Sequence, residues 1–306
     1  MRTRQSLIVS ALVVSGLAAT GCDSRLGEPN TWVPWDEIGG ELQPEVSTAP
    51  SEAVPGDSLR IVTFNVKYGA DTEALARAFR ENAALATADV LLLQEIRSFP
   101  EEGSSRAARL AQALGGLSYV YAPARTLDPG THGLAILSRF ALEDIKVMEL
   151  PHAALPIGEQ RRIALSVDLR TSAGLLRIIN VHLDTRMNAD ERVLQLRPVA
   201  MDPPPLAIVG GDFNSNPMVW AFNAVPVLGA GTVIDADQAR ILDDYMTGEG
   251  FQNPTAELGP TVSVPGLAPH LDSIYVHGAV GSAAGVEREV DVSDHWPMWL
   301  DLRLGP

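Results

Sequence analysis

The sequence predicts an α/β protein in which two mainly antiparallel sheets pack face to face, with helices on their outer sides. Apolar runs of strand length recur from residue 59 to residue 304. Two of them, RIALSVDL (162–169) and RIINVHL (177–183), alternate apolar and polar residues, as strands with two different faces do. Between the first two apolar runs of the chain, 59–66 and 89–96, apolar residues recur at helical spacing. This spacing predicts a helix packed outside a sheet.

The first 21 residues have the pattern of an export signal. Arg2 and Arg4 form a basic start, and an apolar stretch follows from Leu7 to about Thr20. This stretch is shorter than the ~20 residues that a helix needs to cross a bilayer. We therefore expect residues 1–21 to be a signal peptide that is removed on export.

Cys22 is the only cysteine of the chain, so no internal disulfide can form. The small residues Ala19, Thr20 and Gly21 precede it, as in a bacterial lipoprotein cleavage box. Ala19 stands where leucine is usual, so ordinary signal-peptidase cleavage that discards Cys22 remains open. The expected outcome is lipidation of Cys22, which anchors the exported protein to a membrane of the bacterial cell envelope.

Residues 22–57 are predicted to be a tether, because they have no sustained apolar period. They contain acidic and small residues and five prolines, Pro29, Pro34, Pro44, Pro50 and Pro55. Trp32 and Trp35 are unusual in a tether, and we expect them to pack on the surface of the domain rather than to bind a ligand.

The catalytic domain is predicted to span residues 58–306. Its predicted strands are 59–66, 89–96, 133–140, 162–169, 175–183, 206–213, 271–278 and 297–304. Helical spacing occurs at 71–86 and 104–114. The last part of the chain is expected to be mainly strand and loop.

The charge balance limits the class of partner. The net charge is −15, and removal of residues 1–21 leaves 21 basic and 38 acidic side chains, a net charge of −17. Such a field does not attract a polyanion over long distances. Tight nonspecific binding of nucleic acid is therefore disfavoured unless a local basic groove or a bound metal offsets the charge.

Polar residues occur at the ends of three predicted strands. Asn65 interrupts VTFNV, Gln94 and Glu95 end the run DVLLLQE, and His182 lies between apolar residues in NVHLDT. A carboxylate against a core is costly unless it is paired or bound to metal. Each residue also has a structural explanation: a turn for Asn65, an exposed strand end for Glu95, and a hydrogen-bonded core position for His182.

The segment IVGGDFNSNP is more specific. Gly210 and Gly211 allow a sharp turn after a buried strand and present Asp212 and Asn214 from one tight loop. A plain turn also favours Gly, Asp and Asn. The buried strand before the loop and the apolar Phe213 within it favour a functional site.

The segment DVSDHWP places Asp294 and His295 side by side before the last strand. The pair offers a hard oxygen ligand and a base that titrates near neutral pH. Upstream, Asp272 could hold the His295 imidazole, fix its tautomer and raise its basicity.

Together and in this order, these segments resemble the endonuclease/exonuclease/phosphatase superfamily, which includes DNase I-like nucleases, inositol polyphosphate phosphatases and neutral sphingomyelinases. The resemblance covers about residues 59–304 and rests on seven motifs: TFNVKYG, DVLLLQE, GLAILSR, NVHLDT, GGDFN, LDSIYV and SDHWP. It implies a DNase I-like, four-layer α/β/β/α sandwich.

The resemblance also implies roles for the matching residues. Asn65, Glu95 and Asp294 match residues of the metal site, and His182 matches a histidine that contacts the phosphoryl oxygens. Asp212 and Asn214 match the pair that activates water and stabilises the pentacovalent centre. Asp272 and His295 match an acid and histidine dyad. Arg162 matches a phosphate-side arginine, with Arg161 as an alternative register.

The implied cation is Mg²⁺, with Mn²⁺ as an alternative, which suits a site of carboxylates and amides without cysteine. Two positions depart from the pattern of many small bacterial members. Lys67, Tyr68 and Gly69 stand where His-His-Gly is common, and Ser273 stands where an aromatic residue often follows the acid. Both departures concern the expected pocket wall and hence the class of substrate.

The sequence therefore predicts an exported, metal-dependent phosphoesterase that hydrolyses a phosphomonoester or phosphodiester. Nucleic acid and a phospholipid or sphingolipid headgroup are the two substrate classes considered. The alternative is an inactive surface lipoprotein that uses the same fold for binding. We expect a monomer without a protein partner, held at a membrane through Cys22.

Overall fold

The structure is a computed structural model that describes residues 31–48, 54–152, 161–215, 219–221, 225–227, 237–263 and 269–304. The predicted signal peptide and the predicted lipidation site, Cys22, lie outside the described residues. None of the helices in these ranges combines the length and the apolar character that crossing a membrane requires.

The described strands form two large sheets and one small sheet. In spatial order, the first sheet contains β14 (Val280–Val286), β15 (Met298–Arg303), β3 (Ser58–Tyr68), β4 (Val90–Ser98), β6 (Thr131–Ser138), β5 (Ser118–Thr126) and β2 (Glu45–Ser47). The second contains β1 (Val33–Pro34), β7 (Glu143–Glu149), β8 (Ile163–Thr171), β9 (Gly174–His182), β10 (Ala207–Asp212) and β13 (Asp272–His277). The small sheet pairs β11 (Val219–Ala221) with β12 (Val225–Val227).

The described α-helices are α1 (Thr72–Glu81), α2 (Arg106–Ala113), α3 (Ala189–Ala200) and α4 (Asp237–Gly248). Local capping fixes where the first three begin. The Asp71 carboxylate accepts from the Ala74 amide at 2.8 Å, and the Ser105 hydroxyl accepts from the Ala108 amide at 3.0 Å. At α3, the Glu191 carboxylate accepts from the Asn188 amide at 2.7 Å.

The predicted four-layer sandwich is confirmed. One apolar cluster lies between the large sheets and contains Ile61 and Leu92 from the first sheet and Leu165 and Ile178 from the second. A second cluster joins the outer side of the first sheet to α1 and α2, and a third joins the outer side of the second sheet to α3 and α4. Burial on both sides of each sheet explains the long apolar runs of the strands.

Each large sheet is mainly antiparallel, as predicted, and each has one parallel pair among its described strands. These pairs are β3 with β4 and β9 with β10. The carboxyl ends of parallel strands meet at the same edge of a sheet. In this sandwich the carboxyl ends of both parallel pairs lie at one common end. The loops before the antiparallel strands β13 and β15 lie at the same end.

Several elements were not predicted from the sequence, namely β5, β7, β14, α3 and α4. For α3 the physical reason is visible in its residues. Arg192 and Gln195 are fully buried polar residues, and Pro198 lies inside the helix. These residues interrupt the apolar period from which helices are recognised.

The predicted tether, residues 22–57, requires a correction within the described range 31–48. Residues 33–34 pair with β7 at the edge of the second sheet, and residues 45–47 pair with β5 at the edge of the first. Trp35 packs against the cluster between the sheets, and Trp32 packs against the cluster beneath α3 and α4. Short edge strands tolerate proline, so this segment can join the sheets without an apolar period of its own.

Candidate active site

Every candidate catalytic residue lies at the common end of the sandwich where the parallel pairs terminate. Asn65 and Glu95 lie near the carboxyl ends of β3 and β4, and His182 and Asp212 end β9 and β10. Asp272 is the first residue of β13. The fold therefore brings together side chains that are far apart in the sequence. Enzyme sites in α/β folds are commonly built in this way.

Sheet register places three of these residues side by side. His182 of β9 pairs with Asp212 of β10, and Asp212 pairs with Asp272 of β13. The close approach of β9 and β10 requires glycine at position 211, where φ is +150°. A Cβ atom built on Gly211 would lie 2.0 Å from the backbone oxygen of Val181.

Asp212 is the centre of the buried cluster. Its Oδ2 atom accepts a hydrogen bond from Asn65 Nδ2 at 3.0 Å and lies 3.5 Å from His182 Nε2 and 3.7 Å from His295 Nε2. Its Oδ1 atom accepts from the Asn214 amide at 2.9 Å. Burial raises the pKa of Asp212, and the charge of His295 opposes this effect. The cluster thus holds a carboxylate of enhanced basicity.

Asp272 and His295 form the predicted dyad geometry. His295 Nδ1 lies 2.9 Å from Asp272 Oδ2, which directs Nε2 towards Asp212. Burial lowers the pKa of His295, but the carboxylates of Asp272 and Asp212 outweigh burial and raise it to about 10. The imidazole of His295 is therefore a cation at neutral pH.

His182 and Asn214 complete the inner part of the site. Burial, followed by the positive charge of Arg162, holds the pKa of His182 well below its ordinary value, so this imidazole is neutral. Asn214 adopts a left-handed backbone with φ +49°, and its side-chain amide donates to the Leu183 carbonyl at 2.9 Å. Both side chains are buried beside Asp212.

The outer part of the site contains the predicted metal ligands. Glu95 lies in an irregular stretch of β4 with φ +60°, and in the described part of the chain its carboxylate has neither a hydrogen-bond nor an ion-pair partner. Asn65 Oδ1 accepts from the Lys67 amide at 3.1 Å. A half-buried, unpaired carboxylate beside an amide oxygen suits a hard divalent cation.

Asp294 and the inner cluster differ in how well each could bind a metal ion. Asp294 Oδ2 lies 3.0 Å from Lys67 Nζ, so a cation of the chain itself already neutralises it. Among the described residues, Asp212, Asp272 and His295 form the group of three acidic or histidine side chains whose ligand atoms all lie within 4.8 Å of one another. Glu95 and Asp294 do not belong to that group, although Asn65 links the two parts of the site by its bond to Asp212.

Arg161 and Arg162, the two candidates for the phosphate-side arginine, occupy different environments. Arg161 Nε lies 2.6 Å from Glu149 Oε2, and its guanidinium also donates to the Ala124 carbonyl. Arg162 is buried, its Nε lies 3.6 Å from Asp184 Oδ2, and its positive charge helps to lower the pKa of His182. The geometry therefore favours Arg162 as the arginine nearer to the inner cluster.

Gln94 is structural. Its side-chain nitrogen donates to Asn180 Oδ1 at 2.8 Å and thereby joins the two large sheets. Ser293 was not predicted from the sequence; its hydroxyl donates to the Asn65 carbonyl at 2.7 Å and fixes the loop before His295. Nor was the basic wall beside the site, which is formed by Arg97, Arg125 and His132. Their proximity depends on strand register and has no local sequence signal.

Comparisons with known proteins identify the family and the fold of the chain. A sequence profile described as the Endonuclease/Exonuclease/phosphatase family matches residues 62–295. No curated protein matches the chain in a sequence comparison.

Solved structures share the fold. An endonuclease/exonuclease/phosphatase from Beutenbergia cavernae has a TM-score of 0.63 and 20% identity, with 81% of this chain and 72% of that chain covered. A mannosyl-6-phosphatase from Bacteroides thetaiotaomicron has a TM-score of 0.55 and 16% identity, with 80% and 99% covered.

The endonuclease domain of the telomere-specific retrotransposon TRAS1 has a TM-score of 0.52 and 17% identity, with 81% of this chain and 99% of that chain covered. Likeness at such low identity establishes the fold, and the profile match over most of the chain establishes the family. The chain belongs to the endonuclease/exonuclease/phosphatase family, whose members are hydrolases that act on phosphoesters.

Proposed function

We propose that this protein is a divalent-metal-dependent phosphoesterase that hydrolyses a phosphomonoester or phosphodiester outside the cytoplasm. The observation that carries the proposal is the buried contact of Asp212 with Asn65, His182 and His295. A carboxylate, a neutral imidazole and a cationic imidazole in one cluster can activate water and bind a phosphoryl group.

The chain's own residues supply most of the reaction. Asp212, whose pKa is raised by burial, accepts a proton from the attacking water. The water oxygen then bonds to phosphorus while the bond to the leaving oxygen breaks. Cationic His295, held by Asp272, stabilises the negative charge that accumulates on the phosphoryl oxygens. A divalent cation beside Glu95 and Asn65, Mg²⁺ or Mn²⁺, would polarise the phosphoryl group and neutralise charge on the leaving oxygen.

Removal of the metal tests this proposal. We expect the protein to hydrolyse bis-p-nitrophenyl phosphate, to lose activity in a chelator, and to recover it with excess Mg²⁺ or Mn²⁺. Glu95→Gln should raise the metal concentration for half-maximal activity about 100-fold, because the substitution removes the charge of a ligand. Glu73→Gln, an exposed residue of α1, is the matched control and should behave as the wild type.

Activity that survives exhaustive chelation would overturn metal dependence. A folded wild type that hydrolyses neither this ester, plasmid DNA, sphingomyelin nor a sugar phosphate would instead favour the binding-only alternative. The relatives with similar structures include a sugar phosphatase and an endonuclease domain, which supports testing both monoesters and diesters.

The proposed location rests on the sequence of residues 1–22. The export signal and Cys22 support anchoring of a monomer at a membrane of the cell envelope through lipid, beside a lipid headgroup or extracellular nucleic acid as substrate. Expressed in a bacterium fed with labelled palmitate, the wild type should incorporate label and partition with membranes. Cys22→Ser should do neither, and labelling that persists in this variant would contradict the assignment.

A further inference from the structure

A row of basic side chains crosses the first sheet beside the catalytic cluster. His132 of β6 pairs in register with Arg97 of β4 on one side and with Arg125 of β5 on the other. The two arginines flank this histidine across neighbouring strands, so their positive charges lie near one another and repel. In a protein of net charge −15, this local concentration of cations needs an explanation.

Each residue of this row has one polar side-chain atom that is buried without a hydrogen-bond partner in the described part of the structure. Within the described residues, Arg97 Nε, Arg125 Nε and His132 Nδ1 are buried and make no hydrogen bond, and neither does Arg162 Nε from the facing sheet. A buried polar atom without a partner destabilises the fold unless a ligand satisfies it. Burial, then Arg125, Arg162 and Arg97, lower the pKa of His132 to about 3, so the imidazole is neutral and can bond an anion through an N–H group.

The row opens towards the catalytic cluster. Arg125, His132 and Arg162 line one pocket with His182, the neutral histidine beside Asp212. The Arg97 guanidinium, next to His132 in the row, stacks 3.5 Å from the centre of the Tyr68 ring. A group bound to this row therefore lies next to a phosphoryl group bound by His182 and His295.

We propose that Arg97, Arg125 and His132 form a subsite for a second phosphate group of the substrate, adjacent to the phosphate that is hydrolysed. This proposal rests on the proposed phosphoesterase function. Guanidinium groups bind tetrahedral oxyanions through paired, charge-assisted hydrogen bonds, and a phosphate would satisfy the unmet donors and neutralise the repulsion. The subsite would also make inorganic phosphate a ligand of the free protein.

A matched pair of substrates tests whether the subsite binds a second phosphate on the same substrate molecule. The two substrates are thymidine 5′-(p-nitrophenyl phosphate) with and without a 3′-phosphate. We expect the wild type to hydrolyse the 3′-phosphorylated ester with about tenfold higher kcat/KM, the effect of one good charged contact. Arg125→Gln and Arg97→Gln should each reduce this ratio to about one. Arg125→Lys, which keeps the charge, should retain an intermediate ratio.

Phosphate binding without metal tests the subsite separately from catalysis. Calorimetric titration of inorganic phosphate in a chelator should give binding to the wild type and about tenfold weaker binding to Arg125→Gln. Arg170→Gln, at an exposed ion pair with Glu143, is the control and should bind phosphate as the wild type does. Thermal melting should show that all variants are folded.

The outcomes separate the two proposals. A wild type that binds phosphate in this way but hydrolyses no ester leaves the subsite standing and overturns the phosphoesterase proposal. Hydrolysis with no preference for the 3′-phosphorylated ester, or a preference that survives both glutamine substitutions, overturns the subsite as a determinant of substrate. Phosphate binding that Arg125→Gln leaves unchanged overturns it as an anion site.

Discussion

Asp212→Asn is expected to lower kcat for bis-p-nitrophenyl phosphate by about 10³-fold or more, within the range that a positioned general base contributes. Asparagine keeps the size of the side chain and one oxygen, but it cannot accept the proton of water. The substitution also removes a carboxylate that helps to keep His295 charged. Initial rates at saturating substrate and Mg²⁺ measure the effect as kcat.

Asp168→Asn is the matched control for this prediction. Asp168 is also buried, and its carboxylate pairs with Arg177 at 2.9 Å on β9, away from the catalytic end. We expect it to lose stability and to keep the kcat of the wild type. If Asp212→Asn retains more than about a tenth of that kcat while the metal is bound, Asp212 does not act as the base.

Gly211→Ala is expected to destabilise the fold strongly, with a loss of about 3–5 kcal/mol in the free energy of unfolding. The added methyl group would lie 2.0 Å from the Val181 oxygen and 2.9 Å from its carbonyl carbon. These are backbone atoms of the neighbouring strand, so relief requires β9 and β10 to separate where His182 and Asp212 pair. The unfolding temperature should fall by about 10 °C.

Gly248→Ala provides the comparison. Gly248 is the last residue of α4, and a Cβ atom there meets nothing within 4 Å. Alanine favours helix over glycine, so this variant should melt at or slightly above the temperature of the wild type. If the Gly211→Ala variant and the wild type have the same unfolding temperature, β9 and β10 can separate without loss of stability.

The sequence allowed prediction of the layer order because burial on both faces of each sheet leaves long apolar runs. It also identified the segments that meet at the catalytic end, since Asp212, Asp272 and His295 follow or precede such runs. The contact between Asn65 and Asp212 joins residues 147 positions apart, and only the folded topology brings them together.

Other features could not be inferred from local pattern. The row of Arg97, His132 and Arg125 depends on irregularities in β4 and β5 that shift the register of both strands against β6. Helix α3 escaped prediction because buried Arg192 and Gln195 occupy its inner side. Edge pairing of residues 33–34 and 45–47 depends on partner strands rather than on the segment's own residues.

The attachment of residues 33–34 to the second sheet limits how far the enzyme can work from its proposed anchor. If residues 22–57 were a free tether of 36 residues, the domain could lie up to ~120 Å from the anchor. Because Val33 is already part of the second sheet, only the ten residues between Cys22 and Val33 can act as a tether, and they span at most ~35–40 Å. If Cys22 carries lipid, the catalytic domain cannot sample the surrounding fluid at large. Its substrate must then be part of the bilayer surface or be delivered to within one domain diameter of it.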